Sequence, residues 1–296
     1  MKYLRVISTL LAAGLVLSSC AASRYARGVD EADVRALNDV YAGSVKLVPH
    51  PSGERYLKER RMTVYLPPSY YAEPERRYPV MYLLHGARGN EVTWIERGDA
   101  LRTLDSLVAA KAASEFILVL PNVNNYYSDR DYRGGRALPA VRAFFTVDGE
   151  AEVNFMQDVV ATVDREFRTD ARKEARAIAG MSSGGLQTLY LAANYPDSFD
   201  YVGLFSAYSH DTLWGELHPE FYGRIGRKLK KQFADPPAYY GLMIGDTDFF
   251  YPLNLIMDSY MSRKGYEHEF IVRPGGHEWY NWRAFLVHFY GKVFSE

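Results

Sequence analysis

The chain has 296 residues, of which 48% are hydrophobic, 24% charged and 15% aromatic, which is too apolar for a disordered chain and unlike collagen or a coiled coil. Its 35 Lys and Arg nearly balance 36 Asp and Glu, leaving a net charge of −1, so no general basic field favours nucleic acid as a partner. The length allows one large α/β domain or two small ones, each with a sizeable core.

At the start, Lys2 and Arg5 make a short positive head, and Val6 to Leu17 is an apolar run too short to span a bilayer stably. This pattern predicts a signal peptide over residues 1–19. It ends in Leu17-Ser18-Ser19-Cys20, where Cys20 is the sole cysteine of the chain. That setting resembles the lipobox of bacterial lipoproteins, in which the cysteine becomes the first residue of the mature protein and carries the lipid. The expectation is an exported protein tethered to a bacterial membrane through a lipid on Cys20, on the periplasmic face or the cell surface. Export permits disulfides, but a single cysteine can form none within the chain, so the fold rests on its core. Residues 20–50 are small, polar and weakly patterned and read as a lipid-anchored spacer and lead-in. The domain itself is expected over 51–296.

From about residue 61, short apolar runs alternate with longer amphipathic stretches, as where strands and helices take turns in a mainly parallel sheet. The class is therefore α/β. Strands are expected at Met62–Leu66, Val80–Leu84, Phe116–Leu120, Ala175–Ala179, Tyr201–Phe205, Tyr239–Ile244 and Glu269–Arg273. Between them, Leu101, Leu104, Leu107 and Val108 mark one helical face, and Phe155, Val159, Val160, Val163 and Phe167 another. Trp282, Phe285, Leu286 and Phe289 form the inner face of a last helix over Trp279 to Val293. The stretch 206–237 is long, aromatic and basic, with the run Arg224-Ile225-Gly226-Arg227-Lys228-Leu229-Lys230-Lys231. It reads as an insertion over the sheet edge, its basic run a solvated helix face.

The most specific motif is Gly180-Met181-Ser182-Ser183-Gly184-Gly185, directly after the strand Ala175–Ala179 and before a helical stretch from Leu186 to Asn194. In this context Gly-x-Ser-x-Gly presents Ser182 on a tight strand-to-helix turn, with the helix N-terminus supplying positive potential and free N–H groups. A serine hydroxyl is a weak nucleophile and needs a base, which in turn needs an orienting acid. Both are sought downstream. Gly245-Asp246-Thr247-Asp248-Phe249 follows one strand, and Pro274-Gly275-Gly276-His277-Glu278-Trp279 follows the next. His277 is the base by position, whereas triad logic alone accepts either Asp246 or Asp248. Attack on an ester places charge on the carbonyl oxygen, which two backbone N–H groups must meet. One is expected from Ser183 and the other from Ala87, which follows His85-Gly86 at the end of a buried strand.

Metal chemistry lacks its spacing: His277-Glu278-Trp279-Tyr280-Asn281 has no second histidine four residues on, and there is no cysteine pair. Nor is there a Gly-x-Gly-x-x-Gly or Walker loop. The chemistry is read as free of metal and cofactor.

Together these segments resemble the esterase D family of α/β-hydrolases, which includes feruloyl and acetyl-xylan esterases, S-formylglutathione hydrolases and mycolyltransferases. The resemblance is carried by Met62-Thr63-Val64-Tyr65-Leu66-Pro67-Pro68, by Tyr78-Pro79 through Gly86, and by Trp94. It continues through Arg176 to Gly185, Phe199, Gly245 to Asp248 and Gly275-Gly276-His277-Glu278-Trp279. It covers about residues 50–294. It implies the α/β-hydrolase fold, with a mainly parallel central sheet flanked by helices. It also implies Ser182 as nucleophile, His277 as base, Ala87 and Ser183 as the oxyanion hole, and Asp248 as the acid, because the family's acid sits at the fourth position of a Gly-x-x-Asp loop. One departure is Ser183, where many members carry Met, and only the backbone N–H is needed there.

The expected activity is hydrolysis of a small-molecule or carbohydrate ester of the feruloyl or acetyl-xylan type through an acyl-enzyme. Trp94 and Trp279 are expected to contact substrate, with Tyr126, Tyr127 and Trp214 as further stacking candidates. The alternatives are transfer of the acyl group to a sugar or other alcohol, and a non-catalytic glycan-binding lipoprotein that keeps the fold.

Overall fold

The computed structural model describes residues 30–53, 59–87, 89–123, 150–207 and 219–294. Among the described residues eight strands form one sheet: β1 (Ser44–Pro51), β2 (Glu59–Leu66), β3 (Val80–Leu84), β4 (Ile117–Pro121), β5 (Arg176–Met181), β6 (Tyr201–Phe205), β7 (Tyr239–Gly245) and β8 (Glu269–Arg273). Their order is β1-β2-β4-β3-β5-β6-β7-β8. The β1–β2 and β2–β4 pairs are antiparallel and every later pair is parallel.

The parallel strands are almost continuously apolar because both faces of the sheet are covered. Within β3, Val80, Tyr82 and Leu84 join one core cluster while Met81 and Leu83 join another. The first cluster takes in the helices α3 (Ala161–Glu166, continuous with a π-helical turn at Met156–Val160), α4 (Ser183–Asn194), α6 (Ile225–Gln232) and α7 (Tyr251–Lys264). The second takes in α2 (Ala100–Ala109) and α8 (Trp279–Tyr290). Each large apolar side chain buried this way contributes about 1.5–3 kcal/mol.

The seven strands expected from the sequence all form, and Val80–Leu84, Tyr201–Phe205 and Glu269–Arg273 keep their boundaries exactly as read. The lead-in is a correction. Helix α1 (Glu31–Asn38) starts on a reciprocal cap in which the Asp30 carboxylate accepts from the N–H groups of Ala32 and Asp33. Asn38 then bonds both backbone groups of Val45, and β1 runs along β2. Residues 31–50 are thus part of the sheet domain rather than a spacer. Pro49 and Pro51 disguise β1, because proline is tolerated in an edge strand where no neighbour needs its N–H.

Of the stretch 206–237, residues 219–237 carry a short helix α5 (Pro219–Tyr222) and α6, whose Tyr222 and Leu229 are buried against α4. Trp214, Tyr126, Tyr127 and Cys20 lie outside the described residues. Among the described residues no helix is long and apolar enough to cross a membrane.

Candidate active site

Four loops meet above the C-terminal ends of β3, β5, β7 and β8, the usual place for a site on a parallel sheet. The turn after β5 is the tightest. Ser182 sits at φ 54° and ψ −120°, a conformation rare for residues other than glycine and costing roughly 1–3 kcal/mol. Its N–H donates to Phe205 O at 2.9 Å, and its C=O accepts from Leu186 N–H at 3.0 Å. A Cβ at Gly180 would strike the Gly184 backbone, and one at Gly184 would strike the carbonyls of Leu84 and His85. The small residues therefore let α4 begin against β3 and β5. The N–H groups of its first turn have no partner within the helix.

The side chains that the sequence places far apart converge here. His277 Nδ1–H donates to Asp248 Oδ2 at 2.8 Å, and the Ser182 hydroxyl donates to His277 Nε2 at 2.9 Å. The Asp248 side chain is fully buried. Its second oxygen accepts the Phe250 N–H at 2.9 Å, which fixes the carboxylate. Because Asp248 holds the proton on Nδ1, the free lone pair of the imidazole faces serine, the tautomer proton abstraction requires.

Asp246 has a different task. It is exposed, and its Oδ1 accepts the Gly275 N–H at 3.0 Å. Thr247 N–H adds a bond to Gly275 O at 3.1 Å. The acid loop is thereby fastened to the histidine loop. Asn281, fully buried, donates to Gly276 O at 3.0 Å from the other side.

Ala87 is exposed on the turn closed by Gly89 N–H to Gly86 O at 3.0 Å. A Cβ on Gly86 would lie 3.5 Å from the Ser182 Cβ, so this turn abuts the serine. Ser183 is the first residue of α4. Both expected amide donors therefore border Ser182.

The turn after β3 hangs on His85. Its Nε2 accepts from Val123 N–H at 3.1 Å, which leaves Nδ1–H to donate to Gly86 O at 2.8 Å. Burial lowers its pKa from 6.5 to about 4. The unfolded chain therefore binds a proton that the folded one refuses, and stability falls as pH drops from about 6.5 to about 4. The loss at this site is on the order of 3 kcal/mol. Thermal unfolding of wild type and His85→Gln should show a steeper acid decline for wild type across that window; parallel curves would contradict this role.

Of the two tryptophans expected to meet substrate, Trp94 needs correction. Trp94 is 1% exposed and donates from Nε1 to Leu84 O at 3.0 Å. It is a core residue beneath the site. Trp279 is half-buried, with Trp94 and Trp282 edge-to-face at 5.3 and 5.2 Å and the Arg97 guanidinium 5.1 Å over its ring. Among the described residues, the aromatic side chains that touch the imidazole are Phe249, Phe250 and Trp282, at 4.3, 5.5 and 4.9 Å between ring centroids. Trp282 is in turn anchored by donating to Ser206 Oγ at 3.0 Å. Among the described residues no three His, Cys, Asp or Glu side chains gather as a metal-binding group.

A doubly covered sheet in this strand order, with a serine on a strained strand-to-helix turn and a histidine and an acid on later loops, is an α/β-hydrolase. The model of the Esterase family matches residues 54–238, and the chain belongs to that family. A curated endo-1,4-beta-xylanase/feruloyl esterase of Xylanibacter ruminicola is 29% identical over 254 residues, covering 84% of this chain and 31% of the relative. The chain spans between 18% and 33% of the length of three curated relatives it matches. Among solved structures, a ferulic acid esterase is 27% identical with TM-score 0.64, covering 84% of this chain and 99% of that one. A ferulic acid esterase of Anaeromyces mucronatus, in complex with ferulic acid, shares the fold at 21% identity and TM-score 0.65, covering 92% of this chain and 95% of that one. An S-formylglutathione hydrolase of Staphylococcus aureus does so at 22% and 0.62, covering 84% and 96%.

Proposed function

We propose that the protein is a serine esterase that deacylates carbohydrate esters of the feruloyl or acetyl-xylan type through an acyl-Ser182 intermediate. The observation that carries this reading is the unbroken hydrogen-bonded chain Asp248–His277–Ser182 on a strained turn at a helix N-terminus. The likeness to feruloyl esterases supports the substrate class.

In this mechanism His277 Nε2 takes the Ser182 proton as Oγ attacks the ester carbonyl, and Asp248 stabilises the imidazolium without itself taking the proton. The N–H groups of Ala87 and Ser183 receive the oxyanion, each worth about 3–4 kcal/mol in the barrier. The tetrahedral adduct collapses as His277 returns its proton to the departing alcohol. Water then attacks the acyl-enzyme with His277 as base, and the carboxylic acid leaves.

Incubation with feruloylated or acetylated xylan fragments, with and without an added sugar acceptor, tests both substrate and reaction type. Free ferulate or acetate as the main product is the expected result. Transfer of most acyl groups to the added sugar would make the protein an acyltransferase instead, and no release at all would overturn the reading.

The Leu17-Ser18-Ser19-Cys20 segment supports a lipid anchor at Cys20. Labelled palmitate should enter wild type and not Cys20→Ala when each is made in a bacterial host. Equal labelling would remove the anchor from the account.

A further inference from the structure

The residues assigned so far hold the reacting atoms, and the alcohol half of an ester still needs a surface among the described residues. Resting on the serine-esterase reading, we propose that Phe249 is that surface: a specificity-determining residue against which a ring-bearing alcohol, such as a sugar, packs as it leaves.

The first step is chemical. Whatever alcohol departs must have its oxygen within reach of the proton on His277 Nε2. The alcohol therefore lies beside the imidazole, whereas the carbonyl oxygen points to the amides around Ser182. Groups that flank the exposed side of the His277 ring border the alcohol.

The second step is geometric. Among the described residues three aromatic rings pack on His277, and two of them, Phe250 at 6% and Trp282 at 7% exposure, are buried. Phe249 is 46% exposed with its ring centroid 4.3 Å from that of His277 and tilted by 40°. It thus lies beside the imidazole with close to half of its surface open.

The third step concerns rigidity. Asp248 N–H donates to Gly245 O at 3.1 Å, and Phe250 N–H donates to Asp248 Oδ1 at 2.9 Å. Phe249 lies between these two bonds, and the Phe250 ring supports it at 4.4 Å and 62°. The turn that fixes the acid thus also fixes the platform, so little ordering cost falls on binding. A sugar ring, with a C–H face that packs on an aromatic ring and hydroxyls left at its edge, fits such a platform better than a small acyclic alcohol.

The test holds the acyl group constant. Methyl ferulate and 5-O-feruloyl-arabinofuranose form the same feruloyl-enzyme, so a difference between them arises only while the alcohol is bound. The acetyl pair, ethyl acetate and acetylated xylose, is run alongside. The expected result for Phe249→Ala is a fall of about tenfold in the ratio of kcat/KM for sugar ester to simple ester. Phe249→Tyr should restore the ratio. The pH profile for the simple ester should keep its midpoint, which a mere loss of support for His277 would move. An unchanged ratio in Phe249→Ala, or equal losses on both esters with a shifted profile, would overturn the proposal while leaving the esterase reading intact. A wild type that cleaves none of these esters would overturn both.

Discussion

Replacement of Ser182 by alanine should lower kcat for ester hydrolysis roughly a million-fold, to the residue of rate that binding and oxyanion stabilisation alone provide. The reason is positional. Ser182 Oγ lies 2.9 Å from His277 Nε2, and its backbone is held at φ 54° by the strand before it and the helix after it. The neighbouring Ser183 belongs to the first turn of α4, and a hydroxyl there would have to abandon the helix start to reach the base. Turnover of p-nitrophenyl acetate by the purified variant measures this directly. The variant should also fold with wild-type stability, since alanine keeps the Cβ and the same backbone conformation and opens no cavity in the core. Activity near that of wild type would mean that the hydrogen-bonded chain is not the reaction centre.

The second large effect separates two carboxylates that lie two residues apart. Asp248→Asn should reduce kcat by about ten-thousand-fold, because an amide can donate to Nδ1 and so stabilise the wrong imidazole tautomer. Asp246→Asn keeps an oxygen that can accept the Gly275 N–H, so its loss should stay within about tenfold. Steady-state kinetics on the two variants side by side check this contrast. Comparable losses would show that the loop pairing made by Asp246, rather than the bond to His277, limits the reaction.

Much of this site was legible in the sequence because its parts sit where a parallel sheet must put them. A buried apolar strand followed by small residues and a helix leaves only one serine position on the turn, and glycine-rich loops after later strands supply the base and acid. The choice between Asp246 and Asp248 was not open to the residues alone, since both lie on the same loop. It depends on a backbone turn at Gly245 that directs one carboxylate inward and leaves the other to bind Gly275. Strand β1 escaped notice because its two prolines and half-exposed pattern suit an edge, where periodicity is weakest. The place of Trp94 is not legible in the sequence, because closeness to the oxyanion loop says nothing of which face its ring takes, and the ring lies beneath the loop rather than above it. Phe249 is hidden for the converse reason: an aromatic residue after an acidic loop reads equally well as core or surface, and its packing on His277 distinguishes it.

One experiment bears most directly on the account. A fluorophosphonate probe reacts with a serine only where a base has readied its oxygen and amide donors receive the phosphoryl oxygen, so it reports the whole arrangement at once. Peptide mapping of the labelled wild-type protein should find a single adduct, on Ser182, and His277→Ala should lose it. A protein that stays unlabelled under conditions where a control serine hydrolase reacts, or that carries the adduct on another residue, would contradict the proposed centre.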